Sequence, residues 1–289
     1  MSPESAEREK KWAAGSSVIA AVALTGFKII VGIATGSLGI LAEAAHSGLD
    51  LAAAVMTYLA IRISVRPADR NHPYGHGKVE NLSALFETLL LLLTCGWIIY
   101  SAVDRLINHS VEIEVTFWSF AVMATSIAVD VSRSRILYRA ARRYKSQALE
   151  ADALHFSTDI WSSAVVIIGL VGVKLANWWF ADAVAAILVA LIVIYVSVKL
   201  GFRTVAALTD TIKPGVERQV IDAVEALPGV TNCHQVRVRY SGPHPFVDVH
   251  VLVDGEQTLR AAHDLTEEIE RVIQRVVPEA DVTVHPEPT

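Results

Sequence analysis

The chain has 289 residues, of which 53% are hydrophobic and 19% charged, and its mean hydropathy is +0.42. A soluble domain normally carries about 25% charged residues, so this composition excludes an ordinary soluble protein. The net charge of −5 is too small to indicate a partner, and we predict no nucleic acid among the partners. The two cysteines, Cys95 and Cys233, lie far apart in the sequence and predict no disulfide framework.

The apolar residues are concentrated in the first two thirds of the chain, in segments long enough to cross a membrane. A transmembrane helix needs about 20 mostly apolar residues. Six segments meet this requirement, at about 12–34, 38–64, 82–107, 115–138, 152–173 and 178–201. We predict a cytoplasmic tail over 1–11, a six-helix all-α transmembrane domain over 12–208, and a cytoplasmic domain over 209–289. The polar tail leads directly into the first span, so we expect no cleaved signal peptide.

Basic residues indicate how these spans are oriented. Lysine and arginine accumulate in the cytoplasmic loops of membrane proteins. They fill the loop after the second span and the connection after the fourth: Arg62, Arg66, Arg70, Lys78, Arg133, Arg135, Arg139, Arg142, Arg143 and Lys145. The loops on the opposite side are poor in them. Both termini are therefore predicted to be cytoplasmic.

Two His-x-x-x-Asp pairs lie in the second and fifth spans, which are the least apolar of the six. They are His46 with Asp50 and His155 with Asp159. Residues i and i+4 share one helix face, with Cβ atoms about 5–6 Å apart. One such pair alone is more often structural, but the duplication favours a metal site, since two nitrogens and two oxygens suit tetrahedral zinc. Ionisable residues at membrane depth are costly and usually functional.

The chemistry of this quartet predicts an exchange of metal for protons. Metal ligands must be deprotonated, so protons compete with the ion for the same side chains. Four protein ligands leave no position for a catalytic water, which argues against hydrolysis. The sequence also lacks the HExxH pattern of helical zinc enzymes. We therefore predict that the protein is not an enzyme.

A second candidate metal site lies in the loop after the second span, where Asp69, His72 and His76 occur within eight residues. Pro73, Gly75 and Gly77 force an irregular backbone there. An aspartate and two histidines provide three ligands for zinc. The alternative interpretation is a solvated polar loop without a metal.

The last 75 or so residues have the pattern of a small α+β domain. Helical and alternating segments follow one another in the order helix, strand, strand, helix, strand, at about 216–227, 233–240, 246–253, 258–277 and 280–285. The order αββαβ resembles a ferredoxin-like fold. Five short elements provide a thin core, so we expect dimerisation.

Histidines recur on several elements of this domain. They are His234, His250, His263 and His285, with Glu287 close behind the last. A ferredoxin-like fold would bring these elements to one edge and allow a third metal site. Surface histidines without a metal are common, and that interpretation stays open.

Asp130 and Asp182 also lie in apolar surroundings, in the fourth and sixth spans. Either could assist protons or metal entry. Helix packing or capping is the favoured interpretation of both.

Taken together, these residues resemble the cation diffusion facilitator family, the zinc-transporter-type metal/proton antiporters. The resemblance covers nearly the whole chain and rests on the six spans, the two His-x-x-x-Asp pairs, the run from Asp69 to Lys78 (DRNHPYGHGK) and the αββαβ domain. It implies a homodimer in the lipid bilayer, with one transport site per protomer, that exports metal from the cytoplasm. A short chain of this kind is similar to bacterial inner-membrane members.

The resemblance also assigns residues to sites. The transport-site positions are those of His46, Asp50, His155 and Asp159. Asp69, His72 and His76 fall on the family's loop site. The cytoplasmic-domain sites lie near His234, His250, His263, His285 and Glu287. Lys78 and Asp210 match positions that form a charge interlock in similar proteins.

The predicted function is therefore a zinc-preferring efflux transporter that exchanges cytoplasmic Zn²⁺ for protons. The two histidines of the quartet are similar to those of vesicular zinc transporters and favour zinc. Cadmium, iron, cobalt and nickel ions are further candidate substrates. The alternative is a membrane-anchored metal sensor that binds metal but does not transport it.

Overall fold

The computed structural model describes residues 3–36, 38–108, 117–176 and 181–289. These residues form two compact units that are described separately. The first unit is Met1–Val65 with Val79–Thr204, and the second is Arg66–Lys78 with Val205–Thr289.

Six long helices make up the first part of the chain. They are α1 (Pro3–Thr35), α2 (Leu38–Ser64), α3 (Lys78–Asn108), α4 (Phe117–Tyr144), α5 (Gln147–Ala176) and α6 (Ala181–Leu208). Each has at least 27 residues and so exceeds the length that a membrane span needs. The spans predicted at 115–138 and 178–201 each begin with residues outside the described ranges.

Four of these helices are also apolar enough to cross a bilayer, among the residues that the structure describes. The segments are Glu7–Thr35, Ala44–Ser64, Lys78–Asp104 and Ala183–Leu208, in α1, α2, α3 and α6. Arginines at the end of α4 and three carboxylates in the first half of α5 interrupt the apolar character of these two helices. The helical transmembrane domain is thus confirmed, while six spans stay a prediction.

The first unit is held together by small and branched apolar side chains at the helix contacts. Ala14, Ile61, Leu137 and Phe156 form a buried cluster where α1, α2, α4 and α5 meet. Helix α5 also packs against α3 and α6 through residues such as Leu91, Leu154 and Leu200. Small residues allow such helices to approach closely in lipid. Helix α5 consequently lies at the centre of the unit.

Large apolar side chains cover much of the outside of this unit. Ile33, Leu93, Trp97 and Tyr195 are all more than two thirds exposed. Exposed apolar surface on this scale is costly in water and indicates contact with lipid. The first unit is therefore the membrane domain.

The second unit contains a three-stranded sheet and two helices. Its elements are α7 (Val216–Glu225), β1 (Val230–Ser241), β2 (His244–Val253), α8 (Leu259–Val276) and β3 (Asp281–Pro288). The strand order is β1-β2-β3, with β1 antiparallel and β3 parallel to the central β2. Residues of β2 alternate strictly, and Val247, Val249 and Val251 point into the core. The predicted αββαβ, ferredoxin-like domain is confirmed.

The loop 66–78 between α2 and α3 packs with this second unit. A Cβ atom on Gly77 would lie only 2.3 Å from the carbonyl oxygen of Ser241, at the turn between β1 and β2. The backbones therefore approach so closely that only glycine fits at this position. Lys78 pairs with Asp210 at 2.7 Å, the pair that the resemblance implied.

Candidate metal centres

Three of the four predicted transport-site residues meet between α2 and α5. Nε2 of His155 lies 2.9 Å from Oδ1 of Asp50 and 3.7 Å from Oδ2 of Asp159. One ligand atom from each of these residues lies within 4.8 Å of the other two. His155 and Asp159 share one face of α5 at positions i and i+4, and Asp50 meets them because α2 packs against α5.

His46 lies at the margin of this group. Its Nε2 is 3.9 Å from Oδ1 of Asp50, and its side chain is 45% exposed. It is not part of the cluster that the other three form among the described residues. A closed four-ligand shell would need His46 to turn toward the other three.

The arrangement suits an ion that competes with protons. Zinc binds imidazole nitrogen and carboxylate oxygen at about 2.0–2.2 Å, so ligand atoms around one ion lie roughly 3–3.5 Å apart. The observed 2.9 and 3.7 Å bracket that separation. The hydrogen bond between His155 and Asp50 occupies the same two atoms that a metal would take. A proton and a metal ion therefore cannot occupy these two atoms at the same time.

A cavity of about 230 Å³ opens beside these residues in the membrane domain. Its wall includes His46, Asp50 and Asp159, and also Lys28 and Asp130. Asp130 is buried. The sequence favours a packing or capping role for it, but its side chain lines the same cavity as three residues of the quartet. The side chain of Asp182 lies outside those that the structure describes.

Sequence reasoning missed several buried charges of the membrane domain. Lys28 lines the cavity, and Glu87 and Asp152 are also buried in this domain. The hydroxyl of Thr57 donates to Glu87. A charged residue inside an apolar segment is itself a functional signal, and that signal would have found all three.

A buried ion pair joins α1 to α3 in the same unit. The ammonium of Lys10 pairs with the carboxylate of Glu80. Glu80 also accepts hydrogen bonds from the hydroxyls of Ser64 and Ser146. Residues near the ends of α2 and α5 therefore converge on one carboxylate.

The predicted loop site is brought together in the second unit. Oδ1 of Asp69 lies 3.1 Å from Nδ1 of His72, and Oδ2 lies 3.4 Å from Nε2 of His76. Ligand atoms of the three residues lie within 4.8 Å of one another. The backbone N–H of His72 donates to Asp69 and holds the pKa of this exposed carboxyl below its usual value. The carboxylate is therefore already in the form that a metal requires.

The middle of this loop is held by the sheet of the second unit. The guanidinium of Arg239 stacks 3.6 Å from the ring centroid of Tyr74, and Phe246 meets the same ring edge-on at 5.2 Å. Tyr74 lies between the two predicted histidine ligands in the sequence. The stacked contacts thus limit how far His72 and His76 can move apart.

The third cluster lies across the strands of the second unit. His234, His250 and His285 are neighbours on β1, β2 and β3 in the pairing register. Glu287 lies two residues beyond His285 on the same face, 2.8 Å from Nδ1 of His250 and 3.4 Å from Nε2 of His234. The hydrogen bond with His250 lowers the pKa of Glu287.

Two of the predicted ligands lie outside the group of three residues whose ligand atoms are closest together. His234, His250 and Glu287 have ligand atoms within 4.8 Å of one another. His285 adjoins them, with Nε2 3.8 Å from Glu287 and its ring 4.7 Å from that of His250. His263 instead lies on α8, 3.6 Å from Glu267, and does not join the group among the described residues.

The chain combines a helical membrane domain, with a histidine–carboxylate cluster inside it, and a following αββαβ domain. This combination is typical of a membrane protein that binds or transports ions. Residues 16–209 match the family model of the cation efflux transmembrane domain. Residues 212–289 match that of the cation efflux protein cytoplasmic domain. The chain therefore belongs to the cation efflux family, which confirms the predicted membership of the cation diffusion facilitators. It is an integral membrane protein of cation efflux.

Curated relatives match over almost the whole chain. The cation-efflux pump FieF of Salmonella arizonae is 34% identical over 283 residues, covering 96% of this chain and 92% of its own. FieF of Shigella boydii serotype 18 is 32% identical over 281 residues, with 94% and 92% coverage. The solved structure MamM-CTD 215-293 is 27% identical, covers 26% of this chain and 95% of its own, and has a TM-score of 0.24. A similarity at that score carries no information about the fold of this chain.

Proposed function

We propose that the protein exports divalent metal ions, zinc foremost, from the cytoplasm in exchange for protons. The observation that supports this best is the group of Asp50, His155 and Asp159 between two helices of the membrane domain. An imidazole nitrogen and two carboxylate oxygens at these distances suit zinc, and His46 supplies the fourth ligand. All four side chains belong to the two His-x-x-x-Asp pairs.

Exchange follows from competition for these atoms. An entering ion displaces the proton between His155 and Asp50. It also draws the imidazole of His46, whose Nε2 lies 3.9 Å from Oδ1 of Asp50, into the ligand shell. The ion then ties α2 to α5. When the cavity faces the other side, protons return to the ligands, the hydrogen bond between His155 and Asp50 forms again, and the ion leaves. Every step uses the same four side chains.

The two clusters of the second unit bind further metal ions and regulate transport. Asp69, His72 and His76 form the loop site, and His234, His250, His285 and Glu287 form the sheet cluster. Metal on the sheet cluster draws the cytoplasmic domains of a homodimer together. The protein lies in the bacterial inner membrane with both termini in the cytoplasm.

The test is zinc uptake into proteoliposomes that contain a pH-sensitive dye. We expect zinc flux with matching proton counterflow in the wild type, and loss of both in Asp159→Ala. Asp264→Ala, which removes an exposed carboxylate of α8, is the matched control and should keep full flux. Zinc binding without flux in the wild type would favour the metal sensor. Flux that survives Asp159→Ala would show that the transport site lies elsewhere.

A further inference from the structure

A lysine of α1 reaches into the cavity that holds the proposed transport site. Lys28 is only 4% exposed, and its ammonium donates a hydrogen bond to Oγ of Ser47 at 2.8 Å. Ser47 directly follows His46 on α2. The cavity wall that includes Lys28 also includes Asp50, Asp130 and Asp159.

A buried ammonium inside a membrane domain is costly, and such charges mark functional positions. Lys28 lines the same cavity as Asp130 and Asp159, so the positive charge of its ammonium acts on both carboxylates across that cavity. Lysine carries a compact point charge, whose field extends beyond the atoms that it contacts. The carboxylates of the cavity therefore attract two cations, the ammonium of Lys28 and the transported metal ion.

We propose that Lys28 is a fixed cation that competes electrostatically with the metal ion for the carboxylates of the transport cavity and so limits the affinity of the site. This inference rests on the proposed function, because it assigns a role to Lys28 in the same site. A transporter must hold its ion strongly enough to select it and weakly enough to release it. The positive charge repels a divalent ion and speeds its release.

A structural role gives a different expectation. If Lys28 only ties α1 to α2 through Ser47, its loss would loosen the helices and weaken metal binding. The neighbouring hydrogen bond from Thr25 Oγ1 to the carbonyl oxygen of Ser47, at 3.0 Å, ties the same two helices without a charge. Thr25→Val therefore serves as the matched control for the helix contact alone.

The experiment measures zinc affinity and zinc flux in the full-length protein. The background carries His76→Ala and His250→Ala, so that the transport site dominates the binding signal. We expect Lys28→Gln to bind zinc at least about tenfold more tightly, because a nearby unit charge is removed, and to transport it with a lower maximal rate. Lys28→Arg should restore both values toward the wild type. Thr25→Val should change affinity by less than about threefold.

Unchanged or weaker zinc binding in a folded Lys28→Gln would overturn the proposal. If that variant does not fold, Lys28→Met is combined with Asp130→Asn, which removes a charge of each sign. The double variant should bind zinc more tightly than Asp130→Asn alone, and equal or weaker binding would again overturn the role of Lys28. Failure of the proposed function is distinct, because then the wild type would carry no zinc flux or Asp159→Ala would keep its zinc binding.

Discussion

The buried pair of Lys10 and Glu80 allows a quantitative prediction about the membrane domain. Lys10 is 6% exposed and Glu80 is 4% exposed. Replacing Lys10 by methionine keeps most of the side-chain volume but leaves the carboxylate of Glu80 buried without its cation. Removing one partner of a buried pair costs about 3–5 kcal/mol, because the remaining charge is left uncompensated. The hydroxyls of Ser64 and Ser146 still donate to Glu80, so we expect the lower end of this range.

A loss of about 3 kcal/mol lowers the thermal midpoint of a domain of this size by about 6–12 °C. Thermal unfolding in detergent, followed by tryptophan fluorescence, measures the shift. The double variant Lys10→Met with Glu80→Gln should recover part of the loss, because no buried charge remains. Arg203→Gln is the matched control, since its pair with Glu150 is exposed and such pairs contribute about 1 kcal/mol or less.

A midpoint of Lys10→Met that falls no further than that of Arg203→Gln would refute the reasoning. So would a double variant less stable than Lys10→Met alone. Either result would mean that water reaches Glu80 and compensates its charge.

Two further predictions concern the second unit. The pKa of Glu287 is lowered, so its ionisation stabilises the fold above the usual glutamate pKa, and that stability is lost as pH falls through the lowered value. The thermal midpoint should therefore fall less steeply with decreasing pH in Glu287→Gln than in the wild type. Equal slopes would contradict the role of its histidine partners. Replacing Tyr74 by alanine should weaken metal binding at the loop site about tenfold, while Tyr74→Phe, which keeps the ring, should bind like the wild type in metal titration of the full-length protein. Equal binding by Tyr74→Ala would show that the stacking on Arg239 does not position the loop.

The spacing of residues predicted much of the proposed transport site. Each His-x-x-x-Asp pair lies on one helix face because of helical periodicity alone. Which faces meet depends on the packing of α2 against α5, and that packing places His155 beside Asp50 while it leaves His46 at the margin. The position of His46 at the margin and the cavity beside it could not be read from the two His-x-x-x-Asp pairs, because both depend on side chains of other helices.

The histidines of the second unit show the same limit. Alternation predicted the strands, but strand register decides which residues are neighbours, and β1 carries irregularities on both sides of His234. The register brings His234, His250 and His285 into one row. His263 lies on α8, and the position of that helix separates it from the row.

The sequence by itself determined the class of this protein, since hydrophobic segments of span length, paired ligands at helical spacing and an alternating tail are all local patterns. The tertiary structure alone decided which charges share a cavity. Lys28 of α1, Asp130 of α4 and the proposed ligands of α2 and α5 come from four segments with no common spacing. Their proximity follows from close packing of helices, a property of three-dimensional contact that no single stretch of sequence carries.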